Sequence, residues 1–586
     1  MPVATSRTLV ELFARRVAES GDQVALHSPA AGRYVARTWN EIASDVCRSA
    51  GALKQLGVSR ASPVIQISEN RYEWIVTDLA VHLAGGVHIA VHATLSGAQM
   101  AFQILDTDAR IVLLSTSSAA GQLNQANVHW PNDVRFFSYE PVEQRIGGFG
   151  VESWADCVAT DHSAWASSAA DSAHPTALFE LLAEEAVART QPDDLATILY
   201  SSGTTGEPKG VMLSHWNLAS NAIATDGLFL PGESDVKLCW LPLSHIFART
   251  ADLYCWIVRG SALVLAESRD TILANCQQFR PTIINGVPYF FDKVHRHVAS
   301  QGGSDDEQAK CLQAAFGGRL QFACSGGAPL ADATAEYYHR HRVPLLQGYG
   351  LTESSPVISV STPRAHKIGS VGRALQGVEV KIAADGEVLT RGPLVMLGYW
   401  KHPQATADAI DGDGWLHTGD MGRLDEDGFL WITGRKKELI VTAAGKNIAP
   451  AYLERLMCED PLILQALVVG DRKNYLAALV VPNPDVLRNE IAARGIAVTS
   501  IEDALLHPRV LSLYREQIDA RLAGVSHCEQ VGQFTLLSRG FTVEHDELTP
   551  TLKLRRSVIQ QHFATEIEAM YADPRVGASI IHCEPS

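Results

Sequence analysis

The stretch that most restricts the architecture is Leu195 to Gly210, LATILYSSGTTGEPKG. Leu195 to Tyr200 are apolar or small apart from one Thr, as a buried strand requires. The strand opens into serines, threonines, glycines and Lys209. That loop offers hydroxyl donors, backbone N–H groups that glycine leaves uncovered, and one ammonium, all suited to a polyphosphate. The same composition also makes a flexible surface turn. A Walker A loop is excluded, because Lys209 is followed by Gly210, where that motif places Ser or Thr on Mg²⁺.

The rest of the chain reads as α/β. LVELFARRVAE and WNEIASDVCRSAGALKQLGV repeat apolar residues at helical spacing, so residues 1 to about 60 are expected to be helical. PVIQISENRYEWIVTDLAVHLAGGVHIAVHATL gives strand, helix and strand, and ARIVLLST (109–116) and DVRFFSY (133–139) add strands of a parallel sheet. Residues 153–193 are rich in Ala, Ser and Asp, with one helical patch, LFELLAEEAV, and read as a weakly structured linker. PTIINGVPYFFDKV (281–294), RLQFACSGGAPLADATAEYYH (319–339) and RVPLLQGYGLTESSP (342–356) each read as strand, glycine-bearing turn and helix. Ligands of open α/β sheets bind beyond the carboxyl ends of strands, so these turns point at one crevice. From about residue 369 the period falls to two, with hairpin signals at Asp385-Gly386 and Asp427-Gly428. Beyond Arg435, strands and helices mix again, and LQALVVGDRKNYLAALVVP pairs two strands. A chain of 586 residues exceeds one typical core. The expected organisation is a large N-terminal α/β domain with a β subdomain, 1–434, and a small α+β C-terminal domain, 435–586.

Four further segments carry chemistry. In GYGLTE, Tyr349 offers a flat face for a purine, Thr352 a hydroxyl for a phosphate, and Glu353 a hard carboxylate for Mg²⁺. A plain helix start with Thr and Glu near the cap fits equally well. In DGWLHTGDMGRLDEDGFLWITGRKKELI (413–440), Asp420 can accept from two donors, or serve as a turn residue. The apolar run from Trp240 to Phe247 carries one imidazole, His245, whose ordinary role would be a core or cap histidine. In ELTPTLKLRR (547–556), Lys553 lies between Leu552 and Leu554, with Arg555 and Arg556 beyond; such clusters are usually solvated.

SSGTTGEPKG resembles the signature of the AMP-forming acyl-CoA synthetases and their adenylating relatives, with Ser201 where that family usually has Thr. GYGLTE and TPTLKLRR resemble the same family, and 413–440 is similar to the fatty-acyl-CoA synthetase signature almost end to end. The resemblance covers about residues 60–560. It implies a loop of Ser201, Ser202, Gly203, Thr204, Thr205, Gly206 and Lys209 closing on the phosphates of ATP. It implies Tyr349 stacked on adenine, the backbone of Gly327 and Ala328 flanking the purine, Thr352 at the α-phosphate, Glu353 on Mg²⁺, and Asp420 with Arg435 at the ribose. His245 and Gly326 would line an acyl pocket. Lys553 would be catalytic, Lys437 the hinge of a mobile C-terminal domain, and Gly445 the point where the pantetheine arm of coenzyme A passes. The implied activity converts a long-chain fatty acid to acyl-AMP with ATP, and then to acyl-CoA. Neighbouring readings are a fatty-acyl-AMP ligase that loads a carrier-protein phosphopantetheine, a medium-chain or aromatic acid CoA ligase, a luciferase-type oxidase, and a lipid-binding scaffold without activity.

Charge narrows the partners. A net charge of −16 argues against nucleic acid and against strong attachment to anionic lipid. The ten cysteines include no C-x-x-C pair, which suits reduced thiols and gives no zinc-site spacing. The N-terminus lacks an apolar signal core, and no run of 18 apolar residues occurs. The expectation is a cytoplasmic enzyme that meets its acid from the water side. Weak peripheral contact with the inner membrane face and a homodimer stay open.

Overall fold

The computed structural model describes residues 6–159, 175–201, 208–229, 232, 234–443, 446–548 and 554–572, without the side chains of 175–178 and 447. Two large sheets carry the N-terminal part. The first runs Gly398–Tyr399, Lys209–Ser214, Leu195–Ser201, Val87–Val91, Pro63–Ile67, Ile111–Leu114, Arg135–Ser138 and Val151–Ser153. From Leu195–Ser201 onward its neighbours are parallel. Val87–Val91 and Ile111–Leu114 are buried throughout, as parallel strands covered on both faces must be.

The second sheet runs Arg373–Ala374, Val357–Val360, Leu345–Gly350, Phe322–Ser325, Ile283–Gly286, Val236–Cys239, Ala262–Leu265, Val24–Ala30 and Arg33–Thr38. Its interior from Leu345–Gly350 to Val24–Ala30 is parallel and its edges are antiparallel.

Four expectations need correction. Residues 1 to about 60 are not all helical: the hairpin Val24–Ala30/Arg33–Thr38 separates helix Leu9–Ser20 from helix Trp39–Gln55. The boundary is chemical, because Thr38 and Glu41 form a capping box that starts the second helix. The presumed linker contains helix Pro175–Arg189, whose Phe179, Ala183 and Ala186 join the main core, with Phe179 packed edge-on against Phe13 at 5.4 Å. The expected loop ends at Lys209, where an antiparallel strand, Lys209–Ser214, pairs back onto Leu195–Ser201. GYGLTE is followed by the short 3₁₀ turn Thr352–Ser354 and the antiparallel strand Val357–Val360, and not by a helix.

The β subdomain is the antiparallel sheet Glu379–Ile382, Glu387–Arg391, Leu416–Leu424 and Leu430–Arg435. Both of its expected hairpins form, with Gly386 at φ 89° and Gly428 at φ 77° in their turns. The smaller C-terminal domain is built on the sheet Ile463–Val469, Leu476–Pro482 and Val531–Leu536. One face buries Leu453, Met457 and Tyr514, and the other Leu479, Ile559 and Phe563. The two domains meet where Arg455 pairs with Asp332 at 3.3 Å.

Candidate active site

Strand register brings the glycine turns together. Gly286 pairs with Ser325, and Ser325 with Gln347, so the carboxyl ends of three parallel strands lie side by side. Beyond them come Gly326-Gly327-Ala328 and Tyr349-Gly350. Gly327, at φ 82°, takes a left-handed conformation that favours glycine, and Gly327 and Ala328 are exposed. A Cβ on Gly326 would stand 3.0 Å from the Phe247 ring, so glycine there leaves that ring its place.

Tyr349 reaches the β subdomain. Its phenol donates to Asp420 Oδ2 at 2.8 Å, and Arg435 Nε meets Asp420 Oδ1 at 3.0 Å. Asp420 and Arg435 are direct partners on adjacent antiparallel strands. Burial and the Asp420 charge raise the Tyr349 pKa well above that of a free phenol, so it stays a donor. Burial alone would lower the Arg435 pKa, but Asp420, Glu438, Tyr349 and Glu353 outweigh it and hold the cation. Asp420 is 4% exposed, and its carboxylate is fixed from two sheets before any ligand arrives.

A second cluster surrounds the hairpin. Ser201 and Lys209 are its last paired residues. Ser202, Gly203, Thr204, Thr205 and Gly206 lie outside the described residues. The Lys209 ammonium sits 5.2 Å from the centre of the Tyr399 ring. The Tyr399 phenol donates to Glu353 Oε1 at 2.9 Å. Glu353 stands on the 3₁₀ turn Thr352–Ser354, with Thr352 beside it, and its carbonyl accepts from Met396 N at 2.9 Å. Among the described residues Glu353 Oε2 carries no hydrogen bond or ion pair, which leaves a hard anionic oxygen of the kind Mg²⁺ prefers. Among the described residues no group of three or more His, Cys, Asp or Glu is placed to hold a metal, so Glu353 fits Mg²⁺ only if phosphate and water supply the other ligands.

His245 performs its bland role and lines a cleft as well. Its Nδ1 accepts from Phe247 N at 3.2 Å and caps the turn Ile246–Ala248. Its ring borders a cleft with Leu241, Pro242, Phe247, Val287 and Gly327. The chain continues into a π-helical turn, Arg249–Tyr254, a geometry that often marks functional segments. Arg249 is fully buried; it pairs with Asp78 and donates to Thr197 Oγ1 at 2.7 Å and Tyr254 Oη at 2.8 Å. Burial would raise the Asp78 carboxyl, but Arg249, with His82 and His88, holds it well below the usual range. Thr197 belongs to the strand that feeds the glycine-rich loop, so one cation ties that strand to the His245 wall. Sequence reasoning missed Arg249, although a guanidinium inside the apolar run after Trp240 was a signal: buried Arg is almost always paired.

On the C-terminal side, Lys437 is exposed on the single 3₁₀ turn Lys436–Glu438. Gly445 and Lys553 lie outside the described residues. Three positions after Lys553, Arg556 pairs with Glu438 at 3.0 Å and donates to Glu454 Oε1 at 2.7 Å. The chain leaving the Lys553 segment is therefore anchored to the turn that holds Lys437.

A family model described as AMP-binding enzyme matches residues 13–400, and one described as AMP-binding enzyme C-terminal domain matches 437–505. The chain is 33% identical over 574 residues to the long-chain-fatty-acid–CoA ligase FadD15 of Mycobacterium bovis, covering 91% of this chain and 92% of that protein. It is 28% identical over 641 residues to the long-chain-fatty-acid–CoA ligase ACSBG2 of Gallus gallus, covering 97% and 81%. Among solved structures, an anthranilate CoA ligase in complex with anthranoyl-AMP superposes with a TM-score of 0.74 at 18% identity, over 97% of this chain and 100% of that one. That likeness shows the fold.

Proposed function

The chain belongs to the AMP-binding enzyme family, and on that footing we propose that it is an ATP-dependent ligase joining a long-chain fatty acid to coenzyme A. The observation that carries the reading is the Tyr349–Asp420–Arg435 cluster, a prefixed carboxylate beside an aromatic face at the carboxyl edge of a parallel sheet. The names of the relatives support the acid, and the family supports ATP and coenzyme A.

The reaction has two steps. The fatty carboxylate attacks the α-phosphorus of ATP, and pyrophosphate leaves. The thiol sulfur of coenzyme A then attacks the acyl carbonyl carbon and gives up its proton, and AMP leaves with the electron pair of the broken acyl–phosphate bond. The groups that meet in the first step are anionic, so alignment and charge neutralisation supply most of the catalysis. Asp420 takes the ribose hydroxyls, with Arg435 beside it. Tyr349, Gly327 and Ala328 enclose the adenine. Thr352 meets the α-phosphate, and Ser201 to Gly206 with Lys209 hold the phosphates beyond it. Glu353 would hold Mg²⁺, which would neutralise phosphate charge when bound. His245 and Gly326 border the acyl chain.

Residues 1–434 act as the ATP- and acid-binding domain, and 435–586 as a lid. Lys553 bridges the incoming carboxylate and the α-phosphate in the first step. Rotation about Lys437 then withdraws it and brings Gly445 to the pantetheine arm. No helix among the described residues is long and apolar enough to cross a membrane, and the nine cysteines described are free thiols. The enzyme works in the cytoplasm, the acid arriving from the water side.

The test is pyrophosphate release with coenzyme A across acids of increasing chain length. Turnover should rise towards long saturated acids; a preference for short or aromatic acids would overturn the choice of substrate.

A further inference from the structure

Tyr399 touches both charged groups of the phosphate-facing edge, and no motif reading selected it. Its phenol donates to Glu353 at 2.9 Å, and its ring lies 5.2 Å from the Lys209 ammonium, within cation–π range. These partners belong to different elements, the turn Thr352–Ser354 and the hairpin return strand Lys209–Ser214.

The segment that carries Tyr399 is unusually well anchored. Gly398 and Tyr399 add a short antiparallel strand to the return strand, with Tyr399 opposite Val211 and Gly398 opposite Met212. Trp400 N donates to Gly210 O at 2.7 Å, and the Trp400 indole donates to Asp106 O at 3.0 Å. Lys401 reaches the same carbonyl at 2.6 Å. Gly398, at φ 142°, leaves no room for a Cβ, which would stand 2.7 Å from Thr406 Cγ2, and Tyr399 N donates to Thr406 Oγ1 at 2.8 Å. The ring therefore cannot drift without moving the hairpin.

We propose that Tyr399 is a positioning residue for the adenylation step, fixing the Glu353 carboxylate and the Lys209 ammonium at two edges of one side chain so that metal and phosphates are met in register. The proposal rests on the assignment of Glu353 to Mg²⁺ made above. The Glu353 carboxylate has a single hydrogen-bonding partner among the described residues, and it is Tyr399 Oη; without it the carboxylate is free to rotate. A hydrogen bond to a charged group commonly changes affinity by about tenfold or more.

The test compares Tyr399→Phe, Tyr399→Leu, Glu353→Gln and the double variant Tyr399→Phe/Glu353→Gln in the full chain. Two readouts are followed: half-saturating Mg²⁺ for pyrophosphate release, and, independent of turnover, Mg²⁺-dependent binding of a fluorescent ATP analogue. Tyr399→Phe should raise half-saturating Mg²⁺ in both by about tenfold, with the melting temperature of the free protein little changed. Tyr399→Leu should also weaken analogue binding without Mg²⁺ by about two- to fivefold, through the loss of the face under Lys209. In the double variant the Phe change should add nothing to Glu353→Gln. A Mg²⁺ shift in Glu353→Gln but not in Tyr399→Phe would overturn this proposal alone. No shift in Glu353→Gln would overturn the metal assignment and the proposal with it. If Tyr399→Leu does not fold, the Tyr399→Phe/Glu353→Gln cycle decides the matter by itself.

Discussion

Asp420 and Arg435 face each other across adjacent antiparallel strands, and their side chains close an ion pair at 3.0 Å. Tyr349 takes the second carboxylate oxygen at 2.8 Å from the neighbouring large sheet. A carboxylate held by donors from two sheets loses little freedom when a sugar arrives.

Asp420→Ala should raise the KM for ATP and lower kcat/KM on the order of 10–100-fold, because each hydrogen bond to a charged group contributes about 1.5–3 kcal/mol. Tyr349→Phe, which keeps the flat face and removes one donor, should cost about tenfold or less. Pyrophosphate release against ATP concentration checks both. An unchanged KM in Asp420→Ala would contradict the nucleotide placement.

Lys553→Ala should slow acyl-AMP formation on the order of 10²–10³-fold, the range for losing one electrostatic stabiliser of a transition state. Acyl-AMP supplied from outside should still be converted to thioester by this variant. Equal loss of both half-reactions would contradict the division of labour between the two lid orientations.

Arg455 and Asp332 join the domains through a pair at 3.3 Å, with side chains 17% and 42% exposed. Rotation about Lys437 would have to open this contact. A pair at a solvated rim contributes about 0.2–1 kcal/mol, so Arg455→Ala should change the ratio of the two half-reaction rates only about two- to fivefold. The charge-swapped double variant Arg455→Asp/Asp332→Arg should restore the ratio, and high salt should erase the difference. Rapid-quench measurement of both steps would show it; an unchanged ratio would mean that the contact does not weigh on the rotation.

Glu547 supplies a pH prediction. Hydrogen bonds from Arg539, at 2.7 Å to each carboxylate oxygen, hold its pKa down to about 2 against burial, with help from His562 and Thr542 N. The folded value lies below the ordinary 4.5, so the unfolded chain binds the proton first as pH falls. The stabilising contribution is complete above pH 4.5 and is lost as the pH drops towards about 2. Glu547→Gln should lower the melting temperature at neutral pH and flatten its fall across that acid window. An acid limb identical to that of the parent would contradict the role.

Much of this was legible from residue order, because strand ends carrying glycine announce themselves locally. The two β-subdomain hairpins followed from Asp-Gly turns and a period of two, and the crevice from three strand–glycine units. What escaped depended on pairing at a distance. Lys209–Ser214 reads as the tail of a loop until its partner Leu195–Ser201 is placed beside it. The hairpin Val24–Ala30/Arg33–Thr38 lies between two strong helical periods that mask it. Tyr399 and Arg249 carry no motif spacing; each matters through partners far along the chain, Glu353 and Lys209 for one, Asp78 and Thr197 for the other. Of the expected site, Tyr349, Asp420 and Arg435 come together directly, and His245 and Gly326 share the Phe247 neighbourhood.

The most direct measurement is a product balance for the purified full chain given ATP, Mg²⁺, coenzyme A and a long saturated acid. AMP, pyrophosphate and acyl-CoA should appear in equal amounts, and omitting coenzyme A should leave acyl-AMP held on the protein after a single turnover. Release of ADP and phosphate, or AMP formation that does not depend on the acid, would contradict the account.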